Sequence, residues 1–504
     1  MFILLSFLAS DVRANTQSFH TITSEFSVDD LSDLAITEND SVDTKISDEN
    51  QDDIQGNTDE SIEGSYQEFS SEPQFLHTTL DNGLRVSIYS NQNFPIVSTQ
   101  TWVAVGSAQE SSVEKGFAHL FEHLMFGNTT NHKKEEYNQV HIYHGGSENA
   151  YTAFDNTVYI SEIPPQAHSI VLELEADRLQ HLILDEEALN NEKKIVTEEL
   201  RLRMENNPQS RLMGSALSGF FGEHPYSHSP AGTKEDIQNA DLELCKKFYD
   251  GYYKPQNLHL IISGPVDPQI TLDEVKRLYG GIDNGEGVLV PPDVPDFMEW
   301  DFPERLVLAD DIPPMKIAAK VFILPRATHQ DYYALKIMSE MLSGSATDLF
   351  REDLVTQRSK ALEAFGAYVD DFAGGGMFIF ASVNLPFKGK NKLFRQIQGS
   401  LDNLDDRSWL TEEGFSAAQK GLLKQEYTQS WYAADISDAI GWNYARRNDA
   451  SLGVRGAADE IANLKIEDIE RVWETYIIQK QPIEVLFKKG KPQETQSEIE
   501  GSKQ

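Results

Sequence analysis

Gly116-Phe117-Ala118-His119-Leu120-Phe121-Glu122-His123 sets two imidazoles four residues apart, with a carboxylate one residue before the second. On a helix, positions i and i+4 lie about 40° apart around the axis and one turn along it, so both rings can grip one ion. Glu122 then flanks that ion without being forced to ligate it, where a base for a metal-bound water belongs. Zinc used for hydrolysis keeps three protein ligands and an open fourth position, so a third ligand must come from elsewhere. The stretch Glu192-Lys193-Lys194-Ile195-Val196-Thr197-Glu198-Glu199 offers carboxylates. Glu192 and Glu199 are roughly 700° apart around a helix and share a face to within about 20°, whereas Glu198 points some 100° away. The economical assignment is one zinc per chain, held by His119, His123 and Glu199. Glu122 is the general base, and Glu192 a carboxylate behind the ligands that handles protons. Ile195 and Val196 mark the apolar side of this helix. His141, His144, His168, His181, His224 and His228 have no ligand-type spacing to the motif and are read as structural.

The elements that must position these residues follow from periodicity. Alternating strands such as Leu84–Ile88 begin after an Asn82-Gly83 turn, and a second strand runs from Ile96 to Val105. A helix carries the motif, and a strand pair follows around Asn149–Phe154 and Thr157–Ile163. Helices are predicted at Pro165–Leu182, Glu186–Met204 and Asp241–Tyr253, then a buried strand at Leu258–Ser263. The proline-rich run between Gly285 and Trp300 reads as a domain linker. Beyond it the pattern partly repeats: strands near Leu306–Leu308, Lys316–Leu324, Ala364–Val369, Met377–Val383 and Ile483–Phe487, with helices between them. The expectation is α+β: two homologous domains, each a mainly antiparallel sheet packed with helices, over residues 75–285 and 301–488, joined by 286–300. Gly374–Gly376 precedes a strand rather than opening a helix, so it is no phosphate loop.

Composition narrows the chemistry. The net charge of −38 leaves nothing to neutralise nucleic-acid phosphates and disfavours an anionic membrane surface. Asn15 to Phe75 carries sixteen Asp and Glu against one Lys, so residues 15–74 read as an acidic disordered arm and 489–504 as a polar tail. Cys245 is the only cysteine, which excludes an intramolecular disulfide and a cysteine-based zinc cage. The apolar opening MFILLSFLAS, with Val12-Arg13-Ala14 after it, reads as a signal peptide over 1–14 and predicts a periplasmic or secreted protein. No segment approaches the roughly 20 apolar residues of a membrane span.

Several spaced motifs carry a resemblance over residues 77 to 488: GFAHLFEHLMFGNT, GGSENAYTAFDNTVY, EKKIVTEE, HPYSHSPAG and FYDGYYKPQNLHLIISG. The chain resembles the pitrilysin-type zinc metallopeptidases, the HxxEH group that includes the mitochondrial processing peptidase, insulin-degrading enzyme and bacterial zinc proteases. The 76 positions from His123 to Glu199 also match where that family's third ligand falls. The resemblance implies an endopeptidase for unfolded peptides, working in a clamshell of two halves, of which this chain is about one. It implies that the strand at Ser147–Thr152 is a sheet edge pairing with extended substrate, so that Asn149 and Ala150 bind peptide backbone. In the family the partner half supplies a substrate-binding Arg and Tyr seven residues apart. Here the matching positions are Val355 and Leu362. That departure implies a catalytic half heterodimerising with a catalytically silent paralogue, with a homodimer as the alternative. Some members are non-catalytic scaffold subunits, but those usually lose the motif.

Overall fold

The structure is a computed structural model that describes residues 72–490, apart from 207, 286–292, 311–314, 345–347 and 429–430. The leader, nearly all of the acidic arm, the first half of the linker and the end of the tail lie outside the described residues.

Six strands form the first sheet: β1 (Gln74–Thr79), β2 (Arg85–Ser90), β3 (Val97–Val103), β4 (Ser147–Thr152), β5 (Thr157–Ile163) and β6 (Leu258–Gly264). Their spatial order is β1-β2-β6-β3-β5-β4, antiparallel throughout except for the parallel pair β2–β6. The Asn82-Gly83 turn closes the β1–β2 hairpin. Gly83 sits at φ +88°, and a Cβ there would lie 2.9 Å from that of Gln256, so two constraints favour glycine. All seven residues of β6 are buried, as in a strand covered on both faces, and its polar side chains find partners there, His259 in Ser87 and Ser263 in Ser437, each at 2.8 Å.

The second sheet holds β7 (Arg305–Asp310), β8 (Lys316–Leu324), β9 (Glu363–Phe372), β10 (Gly375–Asn384) and β11 (Ile483–Lys489), ordered β7-β11-β8-β10-β9. Its single parallel pair is β7–β11. Strand for strand, this is the arrangement β2-β6-β3-β5-β4 of the first sheet, with the same directions. The suspected duplication is therefore visible in topology where the sequence echo is faint.

Four helices matter for the site: α1 (Phe117–Leu124), α2 (Lys134–His144), α3 (His168–His181) and α4 (Glu186–Asn206). Phe117, Leu120, Phe121 and Leu124 of α1 enter the first core beside Val196 and Leu200 of α4, and Phe121 stacks on Phe248 at 5.2 Å. α2 is a helix that periodicity does not announce, because only Tyr137 and His141 of its eleven residues are buried. On α4, Val196 is buried as expected, but Ile195 is 49% exposed and does not belong to the apolar side.

The two sheets exchange covering helices. Leu217, Phe220 and Phe221 from the helix Pro208–Phe221 pack with Leu306, Leu308 and Val485 of the second sheet. In return, Ile436 and Ile440 from the helix Ala433–Arg447 pack on Trp102, Val158 and Ile261 of the first. The described part of the linker is itself anchored: Phe297 is buried and donates its N–H to the Gly374 carbonyl at 2.8 Å.

Candidate metal centre

α1 lies across one end of the first sheet, and two tyrosines fix it there. The Tyr159 hydroxyl of β5 donates to the Phe121 carbonyl at 3.1 Å and meets the Tyr253 hydroxyl at 2.9 Å. With its apolar positions turned to the core, α1 presents His119 and His123 to α4, their ring centroids 5.0 Å apart. Glu199 reaches them from α4. One carboxylate oxygen stands 3.2 Å from His123 Nε2, and the other 3.8 Å from His119 Nε2.

Among the described residues these three form a cluster able to hold a metal ion, their donor atoms all within 4.8 Å of one another. Donors about 2.0–2.1 Å from a tetrahedral zinc stand roughly 3.3 Å apart, so the cluster needs only small adjustments to close on an ion. The electrostatics agree. Burial pushes His119 down to about 4, with His123 and Arg203 acting in the same direction and Glu199 opposing, so its ring is neutral with a lone pair to offer. Burial would raise Glu199, but its bond to His123 and the charges of His119 and Arg203 outweigh that and hold it at about 2. For His123 burial acts downward, yet Glu199, Glu122 and Glu192 together raise it. A neutral His119 beside an ionised Glu199 offers a divalent cation both a lone pair and a counter-charge.

Glu192 sits behind His123 as its helical spacing implies. Its carboxylate is 3.7 Å from His123 Nδ1 and 3.1 Å from Lys134 Nζ. Carboxylates in this place orient a ligating imidazole. Glu198 faces solvent and pairs with Arg201. Glu122 is raised by burial, the largest influence, against a 2.6 Å hydrogen bond from the Thr152 hydroxyl.

Thr152 closes β4, and among the described residues β4 is an edge of its sheet, pairing with β5 alone, Asn149 facing Ile160 and Ala150 facing Tyr159. Asn149 is exposed, its side-chain oxygen accepting the Ala150 N–H at 2.9 Å. The edge and the Glu122 carboxylate are thus joined through one hydroxyl.

Three contributors were not read from the sequence. Arg203 pairs with Glu199 at 2.7 Å, and its i+4 spacing on α4 was the available clue. Lys134 and Thr152 had none, since they open α2 and close β4, and periodicity within an element does not say which neighbour its end will meet. Five of the six histidines read as structural have partners away from the metal donors: His141 meets Ser161, His168 Thr99, His181 Asp177, His224 the Pro295 carbonyl, and His228 Glu110; for His144 the contact is with the neighbouring ring of Tyr143.

Comparison with known proteins agrees with this geometry. Residues 85–234 match the model of the insulinase family, peptidase family M16, and 239–422 that of the peptidase M16 inactive domain. The zinc protease PqqE of Helicobacter pylori is 26% identical over 82% of this chain and 93% of its own length. The crystal structure of a protease from Helicobacter pylori superposes with a TM-score of 0.73 at 26% identity, covering 82% of this chain and 99% of that one. The ferredoxin protease FusC, solved in complex with Arabidopsis ferredoxin, has a TM-score of 0.67 at 20% identity. The match takes in 83% of this chain but 48% of FusC, so the likeness there is one of fold to half of a longer chain. The chain belongs to the M16 (insulinase) family of peptidases.

Proposed function

We propose that this protein is a zinc-dependent endopeptidase that hydrolyses unfolded peptides or small protein segments inside a two-half chamber. The observation that carries the reading is that one short helix brings a buried carboxylate, hydrogen-bonded to the sheet-edge residue Thr152, alongside two of three clustered metal donors. His119, His123 and Glu199 would hold the zinc. When bound, zinc lowers the pKa of a coordinated water from 15.7 to about 7 and polarises a carbonyl oxygen.

The rest falls to the chain's own side chains. Glu122, poised by burial to accept a proton, takes it from the attacking water and returns it to the leaving amine. Glu192 keeps the His123 ring in its bearing and carries charge balance to Lys134. The free edge of β4, at Asn149 and Ala150, pairs with an extended substrate backbone, which gives affinity with loose sequence selectivity. Substrate thereby lies along the strand whose end holds Glu122.

The chamber needs a second half. Val355 and Leu362 stand where the family places a substrate-binding Arg and Tyr, and the nearest guanidiniums are engaged elsewhere, Arg351 with Glu363 and Arg358 with Asp353. A catalytically silent paralogue supplying that pair is the partner we infer. No helix among the described residues is long and apolar enough to cross a membrane.

The test is hydrolysis of a quenched fluorescent peptide library by wild type, Glu122→Gln and chelator-treated protein, each with and without the paralogue. Activity only with the paralogue, lost with chelator and reduced about 10²–10⁴-fold by Glu122→Gln, is expected. Activity from this chain alone would replace the heterodimer by a homodimer. No activity in any combination, despite bound zinc, would leave a scaffold subunit.

A further inference from the structure

His119 and His123 are not held alike. The second nitrogen of His123 faces Glu192, whereas Nδ1 of His119 is buried and has no hydrogen-bond partner among the described residues. Metal-ligating histidines ordinarily have that nitrogen tied down, because the tie sets ring orientation. For His119 the bearing must therefore come from its backbone, the first turn of an eight-residue helix. Isolated turns fray, and this one has no side-chain cap of its own, since the residue before it is Gly116.

Glu110 supplies what is missing. Its side chain is fully buried, and its two oxygens divide the first turn between them. One accepts the Gly116 N–H at 2.8 Å, and the other the Ala118 N–H at 2.8 Å, one residue before His119. The oxygen on Gly116 also meets His228 Nε2 at 2.9 Å. A carboxylate at a helix N-terminus is favourable on charge alone, but an uncapped buried one would be costly, and the imidazole offsets that cost. The backing is rigid as well. Gly116 is at φ +82°, and a Cβ on it would come within 2.9 Å of the Ala231 carbonyl oxygen, so residues just beyond His228 press directly on the helix start. The same segment anchors the substrate edge: the Tyr226 hydroxyl donates to Asp155, just past the end of β4, at 2.7 Å. Asp155 in turn accepts the Ala373 N–H of the second domain at 3.0 Å.

We propose that Glu110, held by His228, is a positioning residue for the metal centre: by fixing the first turn of α1 it fixes His119, the one ligand with no side-chain tether. This rests on the metal-centre reading above but not on peptidase activity. The HPYSHS stretch is thereby the brace of the site.

The experiment is zinc affinity of the full chain by competition with a chromophoric chelator, alongside thermal melting, for Glu110→Gln, Glu110→Ala, His228→Leu and His228→Gln. Gly441→Ala, where the added Cβ would press on Trp102 rather than on any metal ligand, serves as a variant that loses stability alone. Glu110→Gln, Glu110→Ala and His228→Leu should each weaken zinc binding about 10–100-fold. His228→Gln, which restores an N–H donor, should recover near wild-type affinity. Where a Glu110 variant does not fold, the two His228 variants decide the matter by themselves. The proposal is overturned if Glu110 and His228→Leu variants melt lower yet bind zinc like wild type, as Gly441→Ala should. Equal weakening by His228→Gln and His228→Leu would overturn it too. Wild type that binds no zinc would overturn the metal-centre reading along with it.

Discussion

At the scale of single residues, the tension in the site lies on Glu122. Burial favours its neutral form, and the Thr152 hydroxyl favours the anion that a general base requires. Removing the hydroxyl takes away the largest influence opposing burial and leaves only the charges of His123 and Arg203 against it. Thr152→Val should therefore raise the Glu122 pKa and move the acidic limb of the kcat/KM profile to higher pH, while zinc content stays unchanged. A pH profile with peptide substrate reads this, and an unmoved limb would mean the hydroxyl does not set the base. The i, i+4 histidines and the i, i+7 glutamates were legible because helical spacing alone brings them together. Thr152, Lys134 and Glu110 were not, since each reaches the site from a different element.

At the scale of elements, the docking of the helix Ala433–Arg447 on the first sheet depends on a glycine. A Cβ on Gly441 would lie 2.1 Å from Trp102 Cε2, so Gly441→Ala must move the indole or the helix. Overpacking of this kind costs about 1–3 kcal/mol, readable by urea melting. The same helix carries Asp438, whose carboxylate accepts from Gln100 at 3.0 Å. Burial first, then the charges of Asp435 and Glu162, push it up to about 7 from 3.8. A carboxyl raised on folding binds its proton more tightly in the folded state, so stability is lost as pH climbs from about 4 to 7 and stays lost above. Asp438→Asn should thus stabilise the protein at pH 8, by at least ~1 kcal/mol since one pKa unit is worth about 1.4, and do little at pH 4. Melting at both pH values tests the sign.

At the scale of the whole molecule, two copies of one sheet plan each lend the other a helix. Leu217 and Phe221 lie under β7, while Ile436 and Ile440 lie over β3 and β6. Such an exchange makes the halves one cooperative body, while among the described residues the candidate metal donors cluster in the first half. Zinc should then stabilise the entire chain. At a free concentration 100 times its dissociation constant the gain is about 2.7 kcal/mol, seen as a single raised transition. Glu199→Ala should abolish the rise. A raised first transition with an unmoved second one would show the domains melting apart.

The sequence by itself determined the chemistry: the ligand types, their helical spacing, the acidic surface, and the strand and helix periods that make an α+β fold. These are local properties, set by 3.6-residue and two-residue repeats. Only the tertiary structure decided that β4 is the edge, that Thr152 reaches Glu122, and that Glu110 meets both His228 and the start of α1. It also made the duplication expected from the repeating pattern explicit, since two strand orders can coincide while their residues diverge. Contacts between elements 30 to 118 positions apart depend on how layers stack, and no repeat within any one element encodes that.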